Sequence, residues 1–212
     1  MARGALITIE GVDGAGKSTL ADALASDIRA AGFAVEVLRE PGGVALAERI
    51  RELLRDPAFA PSARAEALLY AAARAQLTGL KLEPLLTAGT HVLLDRFTDS
   101  TLAYQGAGRE LGVEEVRRLN EFATAGLRAD RTLYLRVSAA SARQRQSTRA
   151  EDPDRMERED QEFFARVAGA YEQLAREEPQ RVRTIDADNA FPQVLEDSLH
   201  AIADLLDRAR AS

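Results

Sequence analysis

No cysteine occurs anywhere in the chain, which rules out disulfides and thiolate metal sites. No apolar run approaches the roughly 20 residues of a membrane-spanning helix, and the first residues run straight into a strand-like segment without a signal-peptide pattern. The expectation is a cytoplasmic protein with no membrane partner. Excess positive charge is missing as well: 28 basic residues meet 34 acidic ones, for a net charge of −6. A broad nucleic-acid-binding surface is therefore disfavoured, although a local basic pocket is not. Lysine is scarce, with Lys17 and Lys81 the only two among those 28 basic residues. Repeats, low-complexity tracts and linkers are also absent, so the 212 residues are expected to form one domain, 1–212.

The chain is organised around Gly11-Val12-Asp13-Gly14-Ala15-Gly16-Lys17-Ser18-Thr19. This stretch fits the phosphate-binding loop G-x-x-x-x-G-K-[ST]. Ala5 to Glu10 before it reads as a buried strand, and Leu20, Leu24, Ile28 and Ala31 after it recur at helical spacing. In that setting the loop's backbone N–H groups and the helix N-terminus cradle a phosphate. Lys17 is expected on the β- and γ-phosphates of ATP, and the Ser18 hydroxyl on Mg²⁺. The bland alternative is a glycine turn. A dinucleotide site is disfavoured, because glycines at 11, 14 and 16 do not spell G-x-G-x-x-G.

Strand-like and amphipathic segments then alternate. Further strands are expected at Ala34–Leu38, His91–Asp95, Thr132–Val137 and Val182–Ile185, with Gly32 stopping the first helix. Helices are expected at Leu46–Leu54, from Ser62 onward with Leu68, Leu69, Ala72 and Leu77 inward, and near 99–106, 113–125, 139–147 and 155–177. A last helix carries Leu195, Leu199, Ile202 and Leu206 on one face. With the first strand, these runs make the fold class α/β: a five-stranded parallel sheet flanked by helices on both faces, the P-loop kinase architecture. Ligands of such sheets bind beyond the carboxyl ends of the strands.

Asp95 ends the third strand, where a magnesium-side carboxylate of a phosphate-loop protein is expected; a helix N-cap or a partner for Arg96 is the alternative. Arg39 and Arg96 lie at two strand ends and suit a second phosphorylated substrate, or else ion pairs with Glu40 and Asp99. Arginines 143, 145, 149, 155 and 158 interleave with acids 151, 152, 154 and 157. They read either as a solvated, self-paired face or as a lid, at about 143–158, whose arginine closes on the transferring phosphoryl group.

The motifs together resemble the thymidylate kinase family, which phosphorylates dTMP with ATP. The resemblance rests on Ile9 to Thr19, Arg39-Glu40-Pro41-Gly42-Gly43, Tyr70 to Gln76, Asp95-Arg96-Phe97, Ser100 to Gly106 and Asp154-Arg155-Met156-Glu157. It implies that Asp13 binds the dTMP 3′-hydroxyl and helps to hold Mg²⁺ with Ser18 and Asp95. Arg39 and Arg96 are implied as clamps on the dTMP phosphate, and Arg74 as a donor to the thymine edge. Tyr70 takes the place of an aromatic stacked on thymine, with a core role as its alternative. Ser100, Thr101 and Gln105 fall at dTMP contacts, and Tyr104 beside the sugar C2′. Gly14 stands where some relatives carry a catalytic arginine, so the chain resembles the bacterial lid-arginine type. That type implies Arg149 on the phosphoryl group, with Arg143 or Arg155 as substitutes, and Arg145 on the adenine face. Homodimers packed through helices are implied as well.

Chemically, a phosphate acceptor needs no general base, and His91 and His200 are not positioned as one. Another monophosphate kinase on the same fold is one competing reading. A nucleotide-dependent switch is the other, weakened by the lack of an Asn-Lys-x-Asp stretch.

Overall fold

The computed structural model describes residues 3–147 and 155–210. The phosphate-loop strand β1 (Leu6–Glu10) is followed by α1 (Lys17–Ala30), β2 (Val35–Arg39), α2 (Ala45–Arg55) and α3 (Ala63–Leu77). A π-helical turn, Thr78–Leu82, joins α3 to α4 (Glu83–Thr87), which precedes β3 (His91–Asp95) and α5 (Thr98–Thr101). A second π segment, Leu102–Gly108, leads to α6 (Val113–Thr124), β4 (Arg131–Arg136) and α7 (Ala139–Ser147). The remaining elements are α8 (Gln161–Glu177), β5 (Val182–Asp186) and α9 (Phe191–Arg210).

The sheet has five strands in the order β2-β3-β1-β4-β5, every pair parallel. β1 is central and wholly buried, as a continuous apolar run covered on both faces requires. Ile7, Ile9, Leu93, Leu133 and Leu135 face Leu20, Leu24 and Ile28 of α1 and Val194 and Ile202 of α9. Leu6, Leu38, Val92 and Leu94 face the other way, onto Leu77, Leu82, Leu86 and Phe97. Tyr134 and Val182 complete that face against Phe163, Val167 and Tyr171 of α8. The register sets Arg39 of β2 and Ile9 of β1 level with Asp95 of β3. The loops leaving these strands therefore open together.

Two expectations about helices are corrected. The helix expected from 155 starts only at Gln161, where Asp160 caps it by accepting the Phe163 N–H at 2.7 Å; residues before it form turns. The inward face of α3 is not the leucine stripe. Leu68 is 59% exposed and Ala72 is also exposed, whereas Glu66, Ala67, Ala71, Arg74 and Leu77 are buried. The buried face of α3 carries Ala67, Ala71, Ala73 and Leu77 together with the paired charges Glu66 and Arg74, so a leucine stripe alone does not locate it.

Candidate active site

The loop after β1 carries three glycines in the left-handed region, Gly11, Gly14 and Gly16, where other residues are strained. Space is also short at Gly14: a Cβ there would stand 2.6 Å from the Ala142 carbonyl oxygen of α7. Lys17 opens α1, is nearly buried, and donates from Nζ to the Val12 carbonyl at 3.0 Å. Burial, and then the neighbouring Arg96, lower its pKa from the ordinary lysine range. Ser18 donates to Asp95 Oδ2 at 2.7 Å. Asp95 is thus not an N-cap, since Phe97 holds that position of α5, and among the described residues it makes no direct ion pair with Arg96, though its charge favours that guanidinium. Ser18, Asp95 and Asp13 line one open cleft of about 720 Å³ with Gly14, Gly16, Lys17, Thr19 and Arg39. Among the described residues no group of three His, Cys, Asp or Glu forms a metal cage. Two carboxylates and a hydroxyl beside a phosphate loop still suit Mg²⁺, which takes few protein ligands and completes its shell with water and phosphate oxygens.

A second cleft of about 670 Å³ adjoins the first and is lined by Tyr70, Arg74, Ser100, Thr101, Tyr104, Gln105 and Met156, among others. Asp13, Glu40, Arg51 and Arg96 line both. Arg96 has φ 69°, an uncommon conformation for a side-chain-bearing residue. Its guanidinium donates to Asp13 Oδ1 at 2.8 Å, Tyr104 OH at 3.2 Å and Ser100 Oγ at 3.1 Å, and lies 4.9 Å over the Tyr104 ring. Burial opposes its charge, but Asp13, the tyrosines and Asp95 outweigh it, so Arg96 stays protonated. Asp99, its expected alternative partner, pairs instead with Arg181 at 2.6 Å. Arg39 is half exposed and pairs with Glu48 rather than Glu40, at 3.0 Å, while facing the phosphate-loop cleft.

Arg74 is 1% exposed, and protein partners occupy its donors: Glu40, Thr101, Asn120 and the Phe97 carbonyl, at 2.6–2.9 Å. It forms the cleft floor with every N–H already used. Glu40, between the clefts, is pushed up to about 7 by burial, against the pull of Arg74. Tyr70 is half-buried at the rim, and burial pushes the Tyr104 phenol well up. Gln105 lies in the second π segment, a helical irregularity common at functional sites, and donates to Glu66 Oε1 at 2.9 Å.

Arg145 on α7 donates to the Ala187 carbonyl at 2.7 Å. It lines a third opening, by the loop after β5, with Ala15, Thr19, Leu135, Asn189 and Phe191. Arg149 lies outside the described residues. Of its substitutes, Arg143 is exposed on α7, and Arg155 donates to Glu66 and to the Leu54 carbonyl. Sequence reasoning missed three side chains: Arg51, which lines both clefts and donates to the Pro41 carbonyl at 3.2 Å; Glu66, on which the cleft residue Gln105 converges with Arg109 and Arg155; and Gln146, which donates to the carbonyl of the cleft residue Asp13 at 3.0 Å. Only a basic or acidic residue on an otherwise amphipathic helix hinted at the first two.

The family model described as thymidylate kinase matches residues 9–198. The thymidylate kinase of Rhizorhabdus wittichii is 45% identical over 205 residues, covering 96% of this chain and 99% of that protein. That of Deinococcus radiodurans is 46% identical, covering 88% of this chain and 90% of its own length. That of Pelotomaculum thermopropionicum is 44% identical over 97% of this chain and 95% of its own.

Proposed function

The chain belongs to the thymidylate kinase family, and from that premise we propose how its residues divide the work. The reaction is transfer of the ATP γ-phosphoryl group to dTMP, giving dTDP and ADP, a step toward dTTP. One observation carries the assignment of residues: two clefts, one around the phosphate loop and one walled by Tyr70, Tyr104 and Gln105, share Asp13, Glu40, Arg51 and Arg96 at their junction. A phosphoryl group passing between two nucleotides must cross such a junction in line.

ATP lies along Gly11 to Thr19, with its β- and γ-phosphates on the loop N–H groups and Lys17. Its adenine sits in the opening beside Arg145, whose planar guanidinium stacks on the base. dTMP occupies the second cleft, its base against Tyr70 over the floor made by Arg74, with Ser100, Thr101 and Gln105 along the base edge. Tyr104 packs beside the sugar, and Asp13 takes the 3′-hydroxyl. Arg39, Arg51 and Arg96 hold the acceptor phosphate. For Arg74, direct contact with thymine requires exchanging one of its present partners, so its first role is to support the floor.

Ser18, Asp95 and Asp13 would hold Mg²⁺, which when bound neutralises charge on the transferring phosphates. The acceptor oxygen is already anionic near neutral pH, since the second phosphate pKa is about 6. Catalysis is then alignment and charge neutralisation. Lys17 and Arg96 supply fixed cations, and Arg149, in a lid at about 143–158 of the one domain, supplies the last.

No described helix is long and apolar enough to cross a membrane, and we place the enzyme in the cytoplasm. We propose a homodimer through the α2, α3 and α6 surface, where Leu46, Leu68 and Phe122 stand 50%, 59% and 88% exposed. The decisive experiment is an acceptor panel of nucleoside monophosphates with ATP and Mg²⁺. Turnover should be fastest with dTMP, and ADP release should depend on it. Equal turnover with dCMP or GMP, or ADP release indifferent to acceptor, would overturn the assignment of the second cleft.

A further inference from the structure

Directly behind Arg96 lies a buried carboxylate that belongs to neither cleft. Glu10, the last residue of β1, is 0% exposed and gathers three donors. The Phe97 N–H reaches Oε1 at 2.8 Å, Tyr171 OH of α8 reaches Oε2 at 2.9 Å, and the Ser100 hydroxyl also donates to Oε2. Counting protons then fixes the next link. Ser100 has one O–H. Because it is given to Glu10, the Ser100 oxygen faces Arg96 with a lone pair and accepts Nη1–H at 3.1 Å. The Phe97 bond, meanwhile, ties down the residue that follows the left-handed Arg96. No ion pair joins Glu10 to Arg96 among the described residues; what links them is the Ser100 bond, the turn held by the Phe97 N–H, and a through-space attraction between their charges.

We propose that Glu10 is a positioning residue for phosphate binding: by taking the Ser100 proton it sets the hydroxyl that aims Arg96 at the acceptor phosphate. The proposal rests on the reading of Arg96 as the dTMP phosphate clamp. Its logic is specific to hydrogen-bond polarity. In Glu10→Gln the amide oxygen must serve the Phe97 N–H, which leaves the amide N–H₂ facing Ser100. The Ser100 oxygen then accepts from the amide, and its proton turns toward Arg96 or toward Tyr171 OH, 3.0 Å away, whose own acceptor on Glu10 is lost as well, so donors outnumber acceptors beside Arg96. Shape and volume barely change, while the direction of the chain reverses.

The test is dTMP binding to the full-length enzyme by calorimetry without ATP, beside steady-state KM values for both substrates. Glu10→Gln should weaken dTMP binding about tenfold, the loss expected of one hydrogen bond to a charged group, with the ATP KM unchanged. Tyr171→Phe removes one of the three donors to Glu10, and with it the 3.0 Å contact of Tyr171 OH with Ser100 Oγ, but leaves the Ser100–Glu10 bond and its direction, so it should bind dTMP like the parent. The double variant Glu10→Gln/Ser100→Ala should be no weaker than the worse single one, as residues acting in one chain are not additive. Normal dTMP binding by folded Glu10→Gln, an equal rise in the ATP KM, or weakened binding by Tyr171→Phe would overturn the proposal. The Tyr171→Phe arm decides if Glu10→Gln does not fold. Arg96→Lys separates the two layers: if it binds dTMP normally, the clamp and the proposal fall together, whereas weakened binding there with normal Glu10→Gln refutes the proposal alone.

Discussion

Replacing Arg74 with methionine should be among the most damaging changes outside the phosphate loop, and its cost should depend on pH. Methionine approximates the arginine stem, so little volume is lost. The polar partners are the issue: Glu40, Thr101, Asn120 and the Phe97 carbonyl would lose their donor, and both Arg74 and Glu40 are at least 95% buried by their exposures of 1% and 5%. Removing one member of a buried pair costs about 3–5 kcal/mol, because the other charge is stranded. For a chain of this size each kcal/mol is worth roughly 2–4 °C in Tm, so the melt should fall by about 6–20 °C. Glu40 has little help in reserve, since its Oε1 has no hydrogen-bond partner among the described residues. Without Arg74 it can remain buried only by keeping a proton. Its folded pKa, about 7 against an ordinary 4.5, would rise further. A carboxyl with a raised folded pKa binds more protons folded than unfolded, so it contributes stability that fades as pH rises through that window. In the parent the fading ends near 7; in Arg74→Met it continues above. The deficit should therefore be larger at pH 8 than at pH 6, by about 1 kcal/mol, given 1.36 kcal/mol per unit of pKa. Urea melts of both proteins at the two pH values measure this. A deficit below about 1 kcal/mol, or one that does not change with pH, would refute the buried-pair account. Removing the stranded acid as well, in Arg74→Met/Glu40→Leu, should recover part of the loss.

Two further outcomes are expected. His91 accepts the Ala5 N–H at Nδ1, 3.0 Å away, and burial lowers its pKa below 6.5 despite Asp130. The unfolded chain takes up this proton first, so stability should be complete above pH 6.5 and decline as pH falls below it, by up to about 1.4 kcal/mol per unit. His91→Asn, which keeps an acceptor, should flatten that limb in thermal melts, and an unchanged limb would place the titration elsewhere. On the outer face of α3, Leu68→Glu should convert the proposed dimer to monomer in sedimentation while shifting Tm by little; a sedimentation profile identical to the parent would refute an interface on this face.

Legibility from sequence followed the reach of each signal. Tyr104 was singled out only by the family resemblance, whereas the placement of the phosphate loop, Asp95 and Arg96 at strand ends was readable because short spacings next to apolar strands mark it. The sheet was readable for the same reason, to within a residue or so at each strand end. Arg51, Glu40 and Glu66 were not, because each acquires its role from a neighbour that packing supplies: Pro41 for Arg51, Arg74 for Glu40, and Gln105 with two arginines for Glu66. The α3 helix inverted the usual inference, burying Arg74 and Glu66 while exposing Leu68. Amphipathic periodicity assumes that charges lie outside, and on α3 two paired charges are buried beside small alanines and Leu77 while Leu68 is exposed. The π segment at Leu102–Gly108 also escaped, since its seven residues are too few for apolar spacing to tell a π turn from an α turn.

The contact between Gly14 and the Ala142 carbonyl bears on how such enzymes can diverge. Any side chain at position 14 meets backbone, not a side chain that can swing aside. An arginine introduced there by one mutation would collide with α7 before it could serve the reaction, while the arginine farther along the chain was still in place. On the proposed reading, in which Arg149 supplies the cation, moving it to position 14 therefore needs α7 to shift as well. The two arrangements would then differ by a backbone rearrangement as well as by a side chain, which gives a mechanical reason for a lineage to keep whichever it started with.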